Sequence, residues 1–132
     1  MEKSFNELLG KSITLQKNVG TKETYDGLLS TAALTRLMLD TSWALIDKEL
    51  HKGVTSVCTM IQVNHEEPTV AGETVTVEAT VKKVDENKIF IALKAVDETG
   101  IIAHGLNERL IVDVENLQIL AKQRSALLKP IT

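Results

Sequence analysis

The sequence predicts an α+β domain in which one long helix is wrapped by an antiparallel sheet. Three observations carry that reading. Ala32 to Leu50 contains neither Gly nor Pro and is apolar on more than one side, as a largely buried helix is. Four segments of strand character follow it, separated by polar turns. A sheet with one apolar face must cover something, and the one long helix is the obvious filling. At 132 residues the chain has room for one domain, residues 1–132 with a core of about 12–120.

Each element follows in order. Phe5 to Leu9 reads as a short helix stopped by Gly10. Ser12 to Val19 alternates through Ile13, Leu15 and Lys17 and forms a first strand, and Gly20 to Gly27 is a loop. Ser30 is the N-cap of the long helix, where a side-chain oxygen can accept a first-turn N–H. The apolar residues of that helix include Leu34, Leu37, Met38, Leu45 and Ile46, with Trp43 placed in the core or in a subunit interface. Thr55 to His65 puts Val57, Ile61, Val63 and His65 on one face. The polar stretch Glu66-Glu67-Pro68-Thr69 leads to Thr74 to Val84, with Val75, Val77, Ala79 and Val81 inward. These two strands form a β-hairpin with His65 at its mouth.

Asp85-Glu86-Asn87 then turns into Lys88 to Val96, and Asp97 to Gly100 turns into Ile101 to Val114. Gly105 marks a bulge or bend in that last strand. Asn116 to Leu128 is a weaker amphipathic helix ended by Pro130. The order is strand, buried helix, then a four-stranded antiparallel meander. Such a sheet leaves exposed edges. A homodimer or higher homo-oligomer that pairs them would place sites between subunits.

Composition removes several function classes. A net charge of −3 without a basic patch argues against a nucleic-acid binder. No apolar run is long enough for a bilayer, and Met1-Glu2-Lys3-Ser4 lacks a signal-peptide core, so a cytoplasmic protein is expected. The single cysteine, Cys58, excludes an internal disulfide and reads as a small buried mid-strand hydrophobe. His51 and His104 have no metal-like spacing with His65, and no Gly-rich phosphate loop is present. No metal and no resident cofactor are expected.

His65 is the candidate general base, because an imidazole titrates near neutrality, at an ordinary pKa of about 6.5. Its plain alternative is a strand-end histidine bonded to the turn that follows.

Several segments together carry a family resemblance. Ser30-Thr31-Ala32-Ala33-Leu34-Thr35-Arg36-Leu37-Met38 resembles the start of the central helix in fluoroacetyl-CoA thioesterase-like proteins of the hot-dog fold. Val63-Asn64-His65, followed by Gly72-Glu73-Thr74-Val75-Thr76-Val77, resembles that family's His-bearing strand and turn. Asn107-Glu108-Arg109 with Val112 resembles its final-strand His-Glu-Arg segment. The resemblance implies a hot-dog domain that cleaves an acyl-CoA thioester with a helix-start Thr, a helix Glu and a strand His. Thr31 and His65 match the first and last of these. The Glu position, eight residues after Thr31, holds Leu39.

Asp40 stands next to it, but nine residues at about 100° each turn it to the far side of the helix from Thr31. It contributes only if the helix is distorted or if that face meets a partner subunit. Asn107 departs from the family His. Thr31, in the first turn, could hold the thioester oxygen or a nucleophile, or simply stabilise the helix.

Gly72, Asn107 and Arg109 are candidate substrate contacts. Gly72 serves turn geometry first; Arg109 pairs with Glu108 or Asp113 or binds an anion. Lys82, Lys83, Lys88 and Lys94 either meet the phosphates of coenzyme A or form solvated surface. Two functions follow. One is a thioester hydrolase that, without the Glu, uses a slower route with His65 acting on water. The other is a non-catalytic acyl-CoA binding protein that keeps the pocket. A hot-dog hydratase or dehydratase is disfavoured, since no strand Asp-x-x-x-x-His pattern occurs.

Overall fold

Hydrophobic alternation and one cap organise the computed structural model, which describes residues 4–128. A 3₁₀ turn, Asn6–Leu8, precedes strand β1 (Ser12–Asn18), and Gly10 between them takes φ +85°. A miniature hairpin, β2 (Thr24–Tyr25) and β3 (Leu28–Leu29), occupies part of the expected loop. It leads straight into helix α1 (Thr31–Asp47). Then come β4 (Val54–His65), β5 (Thr74–Asp85), β6 (Lys88–Val96), β7 (Ile101–Asp113) and α2 (Val114–Ser125).

α1 begins where the sequence says it should. Ser30 Oγ accepts the Ala33 N–H at 3.0 Å and so satisfies a first-turn donor. The helix buries Leu34, Met38, Leu45 and Ile46 completely, with Thr41 and Ser42 between them. Against them lie Val75, Val77, Ala79 and Val81 of β5 and Ile89, Ile91, Leu93 and Ala95 of β6. Trp43 is 44% exposed and therefore lies outside the core.

The sheet order corrects one expectation. It runs β1-β5-β6-β7-β4, all antiparallel, so β5, β6 and β7 form the meander and β4 pairs with β7 at the far edge. β4 and β5 are therefore not a hairpin. Residues 66–73 instead carry the chain past β7 and β6. Thr69 anchors this crossing: it is fully buried, its hydroxyl donates to Asp97 Oδ2 at 2.8 Å, and its carbonyl accepts from Leu29 N. His65 thus ends an edge strand.

Three further expectations change with the strand pairing. A bulge between Cys58 and Met60 leaves Val57 opposite Leu110, whereas Ile61 faces Asn107. Val57 is thereby turned to the other face from Ile61, Val63 and His65. Cys58 faces Arg109 but is exposed, because among the described residues β4 has no neighbour on its outer side. Gly105 lies in regular pairing with Val63 and Leu93, away from any bulge. Its role is close approach: a Cβ there would stand 2.8 Å from the Gln62 carbonyl and 3.2 Å from Met38 Sδ. Among the described residues, α2 buries none of its side chains, and no helix is long and apolar enough to cross a membrane. Pro130, the expected stop for α2, lies outside the described residues.

Candidate active site

Two anchored chain ends build the site. The Leu29 N–H donates to the Thr69 carbonyl and the Ser30 N–H to the Glu23 carbonyl, each at 2.8 Å, which fixes the approach to α1. The Ser30 cap then makes Thr31 the first helical residue. On the other side, Glu66 N and Glu67 N both donate to the Ile102 carbonyl and pin the end of β4. Thr31 Oγ1 and His65 Nδ1 consequently lie 2.8 Å apart, in hydrogen-bond contact.

Two features of this pair bear on chemistry. His65 Nε2 is buried and has no hydrogen-bond partner among the described residues, although buried polar atoms ordinarily have one. The backbone N–H groups of Thr31 and Ala32 likewise have no acceptor among the described residues. They point along the positive end of a 17-residue helix. In the tautomer that leaves Nε2 without a hydrogen, that nitrogen can take a proton, and free N–H donors at a helix start can stabilise a developing oxyanion.

The other candidates stand elsewhere. Asp40 is exposed and paired with Arg36 at 3.2 Å, one helical turn away and on the opposite side of α1 from Thr31. Leu39 is half-buried, and no carboxylate is bonded to Thr31 or His65 among the described residues. Gly72 has φ +98° with open space where a Cβ would be; its N–H donates to Val19 and its carbonyl accepts from Asn18. It therefore serves turn geometry.

Asn107 and Arg109 are buried and bonded to each other, Arg109 Nη1 donating to Asn107 Oδ1 at 3.1 Å. Arg109 also donates from Nε to Ser56 Oγ and from Nη2 to the Ser56 carbonyl, while Asn107 Nδ2 donates to the Met60 carbonyl. Arg109 pairs with neither Glu108 nor Asp113; Glu108 instead meets Lys88. Burial pushes the Arg109 guanidinium below its ordinary pKa, opposed by the nearby Cys58 sulfur. His65 faces Ala103, so Asn107 lies four residues, about 14 Å, further along β7. The structure thus brings together Thr31 and His65 and leaves Asn107 and Arg109 as a separate buried network.

The lysines suggested for phosphate contact are dispersed. Lys88 and Lys94 face Glu108 and Glu78, and Lys83 lies 5.2 Å from the Phe90 ring centroid. No group of three metal-ligating side chains occurs among the described residues. Sequence reasoning missed the Thr69 anchor and the β2–β3 hairpin. Positive φ at Asp26 and Gly27, an Asp-Gly pair, is the hairpin signal that was available.

Comparison with known proteins bears on this arrangement. Residues 12–115 match the family described as FlK, fluoroacetyl-CoA-specific thioesterase. A hot-dog-like protein from Thermanaerovibrio acidaminovorans superposes with a TM-score of 0.86 at 31% identity, over 91% of this chain and 96% of that one. A thioesterase superfamily member from Thermus thermophilus gives 0.84 at 18% identity, over 89% and 93%. The fluoroacetyl-CoA thioesterase FlK itself gives 0.81 at 23% identity, over 87% and 95%. No curated protein sequence is significantly similar to the chain. With its anchored helix start, five-stranded wrap and family match over most of its length, the chain belongs to the fluoroacetyl-CoA-specific thioesterase family of hot-dog proteins.

Proposed function

We propose that this protein hydrolyses an acyl-CoA thioester, with His65 activating water and Thr31 holding His65 in place. The carrying observation is the 2.8 Å contact between Thr31 Oγ1 and His65 Nδ1, which leaves Nε2 buried and unpartnered. When Nδ1–H donates to Thr31 Oγ1, Nε2 is bare and can accept a proton. Water then attacks the acyl carbon while its proton passes to Nε2. The resulting oxyanion accepts from the Thr31 and Ala32 N–H groups. As the C–S bond breaks, the leaving sulfur takes the proton from His65, giving the carboxylic acid and free coenzyme A. Coenzyme A is part of the substrate, and no separate cofactor enters.

A homodimer is part of this reading. β4 presents a free edge twelve residues long, and Trp43 and Met60 are apolar side chains 44% and 38% exposed. Pairing with a second copy would cover an edge that otherwise invites non-specific association.

Leu39 at the family's Glu position favours one alternative, a non-catalytic acyl-CoA binder. A panel of short, long and aryl acyl-CoAs, followed by thiol release and by direct binding, separates the two. Thiol release above the buffer rate supports hydrolysis. Binding without release across the panel selects the binder.

A further inference from the structure

The turn between β6 and β7 reaches both halves of the Thr31–His65 contact. Asp97 closes this turn on itself: Oδ1 accepts the Thr99 N–H at 2.8 Å and the Gly100 N–H at 3.1 Å, and its own N–H donates to the Gly100 carbonyl. Its other oxygen, Oδ2, accepts the Thr69 hydroxyl at 2.8 Å. The half-buried carboxylate thus has both oxygens engaged, and bonds to an ionised acceptor are the stronger kind.

Two connections leave that turn. Thr69 is fully buried, and its carbonyl accepts the N–H of Leu29, which with Ser30 leads into Thr31. Just past the turn, the Ile102 carbonyl accepts the N–H groups of Glu66 at 2.8 Å and Glu67 at 3.1 Å, directly after His65. The start of α1 and the end of β4 are therefore both held to residues 97–102. Such bracing matters for chemistry, because a displacement of about 1 Å at a reacting group can cost on the order of 10²-fold in rate.

We propose that Asp97 is a positioning residue of the site: through Thr69 it fixes the start of α1, and with it Thr31 Oγ1, against His65. Asp97 itself is bonded to neither Thr31 nor His65 among the described residues. Its effect on turnover rests on the acyl-CoA reading above. Its effect on the histidine ring rests only on the 2.8 Å contact. Ser30 keeps its separate bond to the Glu23 carbonyl, so losing the Thr69 hydroxyl loosens α1 against β4 without freeing it.

The test uses the full chain with Asp97→Ala, Thr69→Val and Thr69→Ser. Thr69→Val removes the hydroxyl at nearly constant volume and leaves the turn bonds of Asp97 in place, so it breaks the link even if Asp97→Ala does not fold. On an acyl-CoA that wild type hydrolyses, kcat should fall at least tenfold in Thr69→Val with KM within threefold. Thr69→Ser, which keeps the hydroxyl, should stay within threefold of wild type in both. A folded Thr69→Val protein with kcat within threefold of wild type overturns the proposal. In parallel, ¹⁵N NMR reads the His65 ring tautomer well above the ordinary imidazole pKa of about 6.5, with the signals assigned by their loss in His65→Ala. Wild type and Thr69→Ser should carry the hydrogen on Nδ1, and Thr69→Val should show a mixture with the Nε2–H form. Ring signals in folded Thr69→Val that match wild type overturn the proposal. If wild type hydrolyses no acyl-CoA, hydrolysis fails as a function while the ring signals still decide the role of Asp97 and Thr69.

Discussion

Thr31 Oγ1 lies 2.8 Å from His65 Nδ1 although 34 residues separate them in the chain. The contact joins the first residue of the central helix to the last residue of an edge strand. Its job in the proposed chemistry is to fix the histidine tautomer, much as a carboxylate would. Thr31→Ser keeps the hydroxyl and should hold kcat within about threefold, whereas Thr31→Val should lower it on the order of 10²-fold. Rapid-quench kinetics should show no acyl-enzyme; an acylated Thr31 would make the hydroxyl a nucleophile and contradict the water route.

Asp40 is the carboxylate that sequence proximity nominates and geometry rejects. It pairs with Arg36 at the surface, with the two side chains 54% and 79% exposed. Asp40→Asn should leave kcat within twofold, because its carboxylate stands on the far side of α1 from Thr31. Loss of that exposed pair should cost at most about 0.5 kcal/mol. Steady-state kinetics beside urea unfolding measures both, and a collapse of kcat would restore Asp40 to the site.

Gly105 sets how closely α1 approaches the sheet. In Gly105→Ala the new methyl group meets the Gln62 carbonyl oxygen, a backbone atom with little freedom to yield. The expected loss is about 1–3 kcal/mol in urea unfolding, as for other overpacked cores. An unchanged midpoint would show that the sheet flexes more easily than its register suggests.

Asp97 should give the protein an acid-sensitive component of stability. Burial pushes its carboxyl up, but the bonds from Thr99 N, the Thr69 hydroxyl and Gly100 N outweigh this, leaving its pKa below the usual aspartate value. A depressed folded-state pKa stabilises above the unfolded value and loses that contribution as pH falls through the folded one. The stability gap between wild type and Asp97→Asn should therefore be largest above about pH 4 and shrink below it. A gap that stays constant from neutral pH to pH 3 would rule this out.

Much of the fold was legible because burial writes a period into the sequence. The inward valines of β5 and the cap at Ser30 needed no tertiary information. The strand order was not legible, because alternation says which face is buried and not which strand is the neighbour. Val57 was misplaced because a bulge shifts the period without any local marker, and Cys58 because alternation does not say which strand lies at the edge. Thr31 and His65 could be named from a resemblance, but their contact depends on Thr69 and Ile102 holding two distant chain ends.

The most direct test is the rate of thiol release by His65→Ala relative to wild type, on the best acyl-CoA of the panel. Circular dichroism serves to establish that the variant folds. A fall in kcat of about 10²–10⁴-fold is expected, the usual range for losing a general base. A folded His65→Ala protein that keeps kcat within threefold of wild type would contradict it.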